Sequence, residues 1–190
     1  MDFENLIYKR RTIRRFKQIP IDVELLKKLV DYARMAPMAQ NIQPYEYIII
    51  IKKEIREELF KELKWANYLP PELQTPPENE KPMAYIVVIR NKNLRKDPSP
   101  DVGAAIENIL LGATSFGLGS CWMGAIARNN IQKLLNIPLN YEVEYVISLG
   151  FPDEESEIED YKDSFKYWKD KNGKMHVPKR KLNDIIYKII

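Results

Sequence analysis

DVGAAIENILLGATSFGLGSCWMGAI, residues 101–126, joins a helix start, a small-residue helix and a glycine-punctuated exit in one run. Asp101 has the chemistry of a helix cap, accepting from free N–H groups of the first turn. Ile106, Ile109, Leu110 and Ala113 recur every three to four residues, the spacing of a buried helical face. Gly103, Ala104, Ala105, Gly112 and Ala113 leave little side chain, so a second backbone or a flat ligand can approach closely. Gly117 and Gly119 end the helix, and Cys121-Trp122-Met123-Gly124-Ala125 follows as a short apolar run. Taken alone, the stretch reads as a tightly packed core helix.

Outward from it, 190 residues suit one domain, residues 1–190, with an extended tail from 153 to 190. At 45% hydrophobic the chain can bury a core. Thirty basic against 27 acidic residues leave a net charge of only +3, a mixed solvated surface and no nucleic-acid footprint. One cysteine excludes an internal disulfide framework and fits the reducing cytoplasm. Residues 1–15 carry charges throughout, so no signal peptide is expected, and no apolar run approaches membrane-spanning length. With one histidine, His176, in an exposed basic tail, no metal site is expected. The GxGxxG and GxxxxGK[ST] patterns are missing, which argues against Rossmann and P-loop nucleotide sites.

On the N-terminal side, Asp2–Lys9 reads as a short amphipathic helix capped by Asp2. It leads into KRRTIRRF, residues 9–16, five cations in seven positions beside the hydroxyl of Thr12. Such crowding is relieved by an anion, and arginine forks match phosphate oxygens; a solvated basic patch is the plainer reading. Asp22 caps a second helix whose apolar side is Val23, Leu25, Leu26, Leu29, Val30 and Ala33, ending before Pro37. In APMAQNIQPY, residues 36–45, the amides of Gln40, Asn41 and Gln43 both donate and accept, which suits the edge of a heterocycle or a satisfied loop. Tyr45–Ile51 reads as a buried strand, and Ile55, Leu59, Phe60 and Leu63 mark a third helix. Residues 66–82, with five prolines, read as a stiff irregular loop and a candidate lid. Residues 85–89 read as a second buried strand.

On the C-terminal side, Asn129 is placed to cap a short helix ending near Leu135, and residues 141–149 read as a third strand. Cys121 reads as a buried filler, and the six acids from Asp153 to Asp160 as a solvated face. Beyond Pro152 the pattern is poor, with a last apolar stretch, residues 182–190, suited to a helix docking on this protomer or a partner. The strands are too few for a doubly wound sheet.

Four segments in order resemble the FMN-dependent nitroreductase family: RRTIRRF (10–16), APMAQNIQPY (36–45), the 101–126 run, and LGFP (149–152) followed by Lys179-Arg180. The resemblance implies an α+β fold with a central, mostly antiparallel sheet flanked by helices. It also implies an intertwined homodimer that exchanges C-terminal tails and holds FMN at the interface. By that resemblance Arg10, Lys179 and Arg180 hold the phosphate, with Lys181 as an alternative to Arg180, and Thr12 contacts the ribityl or phosphate end. Arg14 lies near flavin N1 and O2. Pro37, Met38, Ala39 and Asn41 reach the ring from the other subunit, and Gly124 and Ala125 lie by N5. Arg11, Gln43, Trp122 and Met123 complete the implied cofactor set, and no catalytic acid or base is implied.

The implied reaction is ping-pong hydride transfer from NAD(P)H through FMN to a nitroaromatic, a quinone or a related small acceptor. A reductive dehalogenase, a flavin-consuming enzyme and a non-catalytic flavin-binding or sensing protein are the alternatives. Met38 and Glu107 depart from the family's Ser and Gln, Thr12 and Tyr45 from its Ser and Trp. A carboxylate at position 107, near a reduced flavin, would lower its potential.

Overall fold

The computed structural model describes residues 2–190. Helix α1 (Phe3–Lys9) is capped by Asp2, which accepts from the Asn5 N–H. Strand β1 (Phe16–Lys17) and helix α2 (Val23–Arg34) follow, the latter capped by Asp22 on Glu24 N–H. The body continues through β2 (Tyr45–Ile50), α3 (Lys53–Lys61), a short α4 (Pro71–Gln74), β3 (Ala84–Asn91), α5 (Asp101–Ser115), β4 (Gly119–Met123), α6 (Arg128–Leu134) and β5 (Tyr141–Pro152).

These strands form one antiparallel sheet. β3 is central, between β2 and β5. The far edge of the long β5 carries β4, opposite Val146–Gly150, and then β1, opposite Phe151 and Pro152. Alternation along the strands splits the core between two faces. Ile86, Val88, Ile147 and Leu149 pack on α2 and α5 through Leu26, Leu29, Ile106, Ile109 and Ala113. Tyr85, Val87, Cys121, Met123 and Val146 face the other way, onto Leu59, Trp65 and Ile131. The architecture is therefore the α+β, antiparallel-sheet arrangement expected, with helices on both faces. At Gly112 a Cβ would fall 2.5 Å from the Tyr32 ring, so α2 and α5 meet through a missing side chain. Gly117, at φ +75°, makes the exit from α5.

Several expectations are corrected. Tyr45–Ile50 is an edge strand with half-exposed residues, because only β3 pairs with it. Its alternate faces contribute to both core layers, so its composition imitates a buried strand. The short run after Gly119 is a strand, legible only once β5 is beside it. Asn129 lies inside α6, whose cap is Ala127. Residues 66–82 contain α4 and a 3₁₀ turn, Glu78–Glu80, tied down by Arg15–Glu80 at 2.5 Å and Lys81–Glu57 at 2.6 Å.

Beyond β5 the chain forms a separate three-stranded sheet from β6 (Ser156–Asp160), β7 (Trp168–Lys169) and β8 (Met175–Lys179), with β6 parallel and β7 antiparallel to β8. The acidic run is thus only partly a solvated face: Glu154 is buried against Lys169, 2.7 Å away. His176 is largely covered, stacked on Trp168 at 4.1 Å and facing Glu157, Glu159 and Asp170. Residues 182–190 are helical only over α7 (Leu182–Ile185), and Ile185, Tyr187, Ile189 and Ile190 stay exposed rather than docking on this protomer.

Candidate functional site

The open side of α5 is where distant parts of the sequence meet. Asp101 does not cap its own helix. Its Oδ2 accepts the Ala39 N–H at 3.0 Å, while the Asp101 N–H is taken by Ser99 Oγ at 3.3 Å. Hydrogen bonds from Ser99 and from Ala39 N–H hold the Asp101 carboxyl below its ordinary value, despite opposing desolvation. This contact anchors the loop after α2. Three non-glycine residues there, Gln40, Asn41 and Gln43, have φ of 55°, 53° and 52°. Left-handed backbone at such residues costs free energy and persists where the surroundings enforce it. Gln43 Nε2 donates to Asn41 Oδ1 at 3.1 Å, so two of the amides partly satisfy each other. Pro37 precedes the turn, and Met38 packs partly into the core. Met38 and Gln43 also line a groove of about 430 Å³ between α2 and β2. Tyr47 lines it too; among the described residues its buried hydroxyl has no partner, and burial pushes its pKa up to about 12.

Two residues on, Gly103 faces Trp122: a Cβ there would lie 3.7 Å from the indole. Trp122 is half-exposed and packs edge-on against Tyr145 at 5.2 Å. Met123 is buried, its sulfur 3.2 Å from Ser148 Oγ. Gly124 and Ala125 are exposed, and the Ala125 carbonyl accepts from Lys64 N–H at 3.0 Å. Cys121 is the buried filler expected, its thiol pushed up to about 11 chiefly by desolvation.

One further turn along α5, Glu107 pairs with Arg10, Nε to Oε1 3.1 Å. The position-107 carboxylate is therefore compensated. Arg11 folds back onto the end of α1, its Nη2 donating to the Ile7 and Tyr8 carbonyls at 3.1 and 3.0 Å. Among the described residues its buried Nε has no partner, and desolvation, then Arg10, lowers its pKa. A guanidinium so placed gains from an anion. Thr12 and Ile13 run beside β4, with Ile13 N–H on the Ser120 carbonyl at 2.9 Å. Arg14 donates its backbone N–H to Glu154 Oε1 at 2.6 Å and sets its guanidinium 4.7 Å from the centre of the Tyr167 ring.

Thus α5 gathers the 10–14 segment, the 37–43 loop and the Trp122 run. Lys179 and Arg180 are not brought to them within this chain: both lie exposed at the end of β8, where Arg180 bonds the Asp184 carbonyl. Residues 7–151 match the family model described as Nitroreductase family. The chain belongs to the nitroreductase family.

An Archaeoglobus fulgidus protein, provisionally named NADH dehydrogenase/NAD(P)H nitroreductase, is 33% identical over 84% of this chain and 91% of its own length. The crystal structure of a nitroreductase family protein from Clostridium novyi superposes with a TM-score of 0.67 at 28% identity, covering 89% of this chain and 93% of the other. A structure titled FMN-dependent nitroreductase, from Clostridium difficile, gives 0.67 at 27%, covering 85% and 92%. The matched residues of this nitroreductase-family chain end at the sheet, before the arm that carries Lys179 and Arg180.

The residues present fit a phosphorylated flavin: an unpartnered buried guanidinium nitrogen at Arg11, a hydroxyl at Thr12 and a small-residue helix face at Gly103. Sequence reading did not single out Tyr145 or Tyr167, and it took Glu154 for a solvated acid and Tyr68 only for the start of the 66–82 loop. None sits in a motif, and each acquires its place only through strand pairing or the arm. Among the described residues no helix is long and apolar enough to cross a membrane.

Proposed function

We propose that this protein is an FMN-dependent oxidoreductase of the cytoplasm, one FMN-binding domain over residues 1–190 acting as a homodimer. The observation that carries this reading is the placement of the 10–14 and 122–125 segments on one side of α5, with the Arg11 Nε buried and unpartnered among the described residues. The 37–43 loop, held on the same helix by Asp101, is presented to the partner's flavin. Family membership and the FMN-dependent relative support it.

Bound FMN would supply the hydride chemistry, accepting from NAD(P)H and delivering to an acceptor such as a nitroarene or quinone. The balance is ArNO₂ + NAD(P)H + H⁺ → ArNO + NAD(P)⁺ + H₂O, or quinone + NAD(P)H + H⁺ → hydroquinone + NAD(P)⁺. Arg10, Arg11 and Thr12 bind the phosphate end, with Lys179 and Arg180 joining once the arm takes its place in the dimer. Arg14 holds positive charge at the pyrimidine edge, where reduction gathers negative charge. Pro37, Met38, Ala39, Asn41 and Gln43 cover the ring from the second subunit, held by Asp101. Trp122 and Met123 back the ring, and the exposed Gly124–Ala125 backbone flanks the reacting atom. No side chain is needed as catalytic acid or base.

The dimer and its tail exchange draw support from unpartnered surfaces. Helix α1 buries no residue. The free edge of β2 borders the groove at Tyr47, and the apolar residues 185–190 have no seat on their own chain. An edge strand left open invites pairing with another chain. Absorbance spectra after FMN addition and removal of excess test the reading. Flavin bands near one per chain, with NAD(P)H oxidation by a nitroarene or quinone, are expected. A colourless protein after reconstitution refutes it.

A further inference from the structure

Segment 62–68 is bound to the turn assigned to the reacting edge of the flavin. Leu63 bridges Ile126, Lys64 N–H meets the Ala125 carbonyl, and Ala127 N–H meets the Glu62 carbonyl at 2.9 Å. The chain then bends sharply at Ala66, φ +33°, a conformation that non-glycine residues avoid. The bend buries Trp65 and Leu69 and projects Tyr68 outward, 55% exposed.

Tyr68 is met there by the arm. Its ring lies 5.2 Å from that of Tyr167 at 56°. Behind Tyr167, at the inner end, stands the Arg14 guanidinium. Above Tyr68, at the outer end, Lys166 Nζ lies 5.9 Å from the ring centre. The result is a file of cation, phenol, phenol, cation running from the flavin-edge arginine to solvent. Arg10 and Arg15 are paired with Glu107 and Glu80, and Lys169 with Glu154. Among the described residues Lys166 has no carboxylate partner, and residues 161–171 carry four lysines against two aspartates. Tyr68, exposed and backed by the half-buried Tyr167, offers an electron-rich ring to an electron-poor one. The Lys166 ammonium, with no carboxylate partner among the described residues, offers a contact to an anion on that ring.

We propose that Tyr68 and Tyr167 form the wall on which the electron acceptor rests, and that Lys166 selects planar aromatic acceptors carrying an acidic group. This rests on the flavin reading above and names the acceptor class for that site. Tyr68, Tyr167 and Lys166 act as specificity residues. The electrons come from NAD(P)H, and an aromatic nitro acid leaves as the nitroso acid with one water, as balanced above.

Para-nitrobenzoate and para-nitrobenzamide share ring, nitro group and size. They differ in charge and in the pull on the nitro group, so the change in their ratio on Lys166→Gln, not the ratio itself, isolates the lysine. For FMN-loaded protein, kcat/KM is expected to favour the benzoate about fivefold, the scale of one exposed ion pair. Lys166→Gln should lower that ratio about fivefold. Tyr68→Ala should raise KM for both compounds, and Tyr68→Phe should restore it. Quenching of intrinsic fluorescence gives the Kd of each compound without turnover, and the same preference is expected there. Flavin uptake and turnover without any benzoate preference, or a preference untouched by Lys166→Gln, overturns this inference alone. A benzoate preference in Kd without flavin uptake overturns the flavin reading and, with it, the role of acceptor wall.

Discussion

The body, up to Pro152, and the arm beyond it use opposite means of holding shape. In β3 seven of eight residues are buried, and both sheet faces are closed by helices. In the arm, β6 has no fully buried residue, Met175 is the one buried anchor of β8, and the last apolar residues face water. Hydrophobic burial grows with enclosed area, so the body contains its own driving force for folding. The arm relies on one small cluster, Met175 with Ala66 and Leu69, on the Lys169–Glu154 pair, and otherwise on exposed aromatic and ionic contacts worth little each. A segment so thinly held gains from a second surface, which is why a partner is proposed for the arm and none is needed for the sheet.

Two buried ion pairs put this contrast to the test. Arg90 is fully buried, donating from Nε to Glu144 Oε1 at 2.5 Å and from Nη2 to Glu142 at 2.5 Å. Arg90→Ala strands a buried carboxylate inside the body. It should lower global stability by about 3–5 kcal/mol in urea denaturation. Next comes Ile147→Ala, a cavity between β5 and the α2–α5 layer, expected to cost about 2–5 kcal/mol by the same measurement. Lys169→Ala removes the matching partner of buried Glu154, but in the arm. There the penalty should be met by local opening: amide exchange of residues 156–179 accelerates while the urea midpoint moves by less than about 1 kcal/mol. A shift as large as that of Arg90→Ala would show that arm and body unfold as one unit.

Asp101 gives a smaller, pH-dependent effect. Its folded pKa is lowered, so its stabilisation is complete above the ordinary aspartate value of 3.8 and fades as pH falls through the lower folded value. Amide exchange at Ala39 should therefore quicken in that acid range while β3 amides stay protected. Asp101→Ala should give the fast Ala39 rate at neutral pH. The smallest stability change belongs to deletion of residues 182–190. The urea midpoint should hold within about 0.5 kcal/mol, while sedimentation should show the dimer weakened. An unchanged dimer would remove the tail from the interface.

Caps at Asp2 and Asp22, the apolar period of α5, its glycine exit and the hydrophobicity of β3 and β5 were all legible in the chain, because each depends on residues within a few positions. So were the 10–14, 37–43 and 122–125 segments that the fold brings to α5, though Lys179 and Arg180 stay apart from them. Which groups those segments use on one another was not legible. Asp101 has the composition of a cap and serves instead as the acceptor for Ala39, 62 residues away in sequence. Glu107 has the composition of a redox-tuning carboxylate and is neutralised by Arg10. Glu154 has the composition of a solvated acid and is buried by Lys169. Sequence determined the periodicities and end signals, since helices and strands are local in hydrogen bonding and side-chain direction. Tertiary structure alone decided the ionic partners, the edge position of β2 and the meeting of Tyr68 with Tyr167, since those depend on which distant backbones the packed sheet brings together.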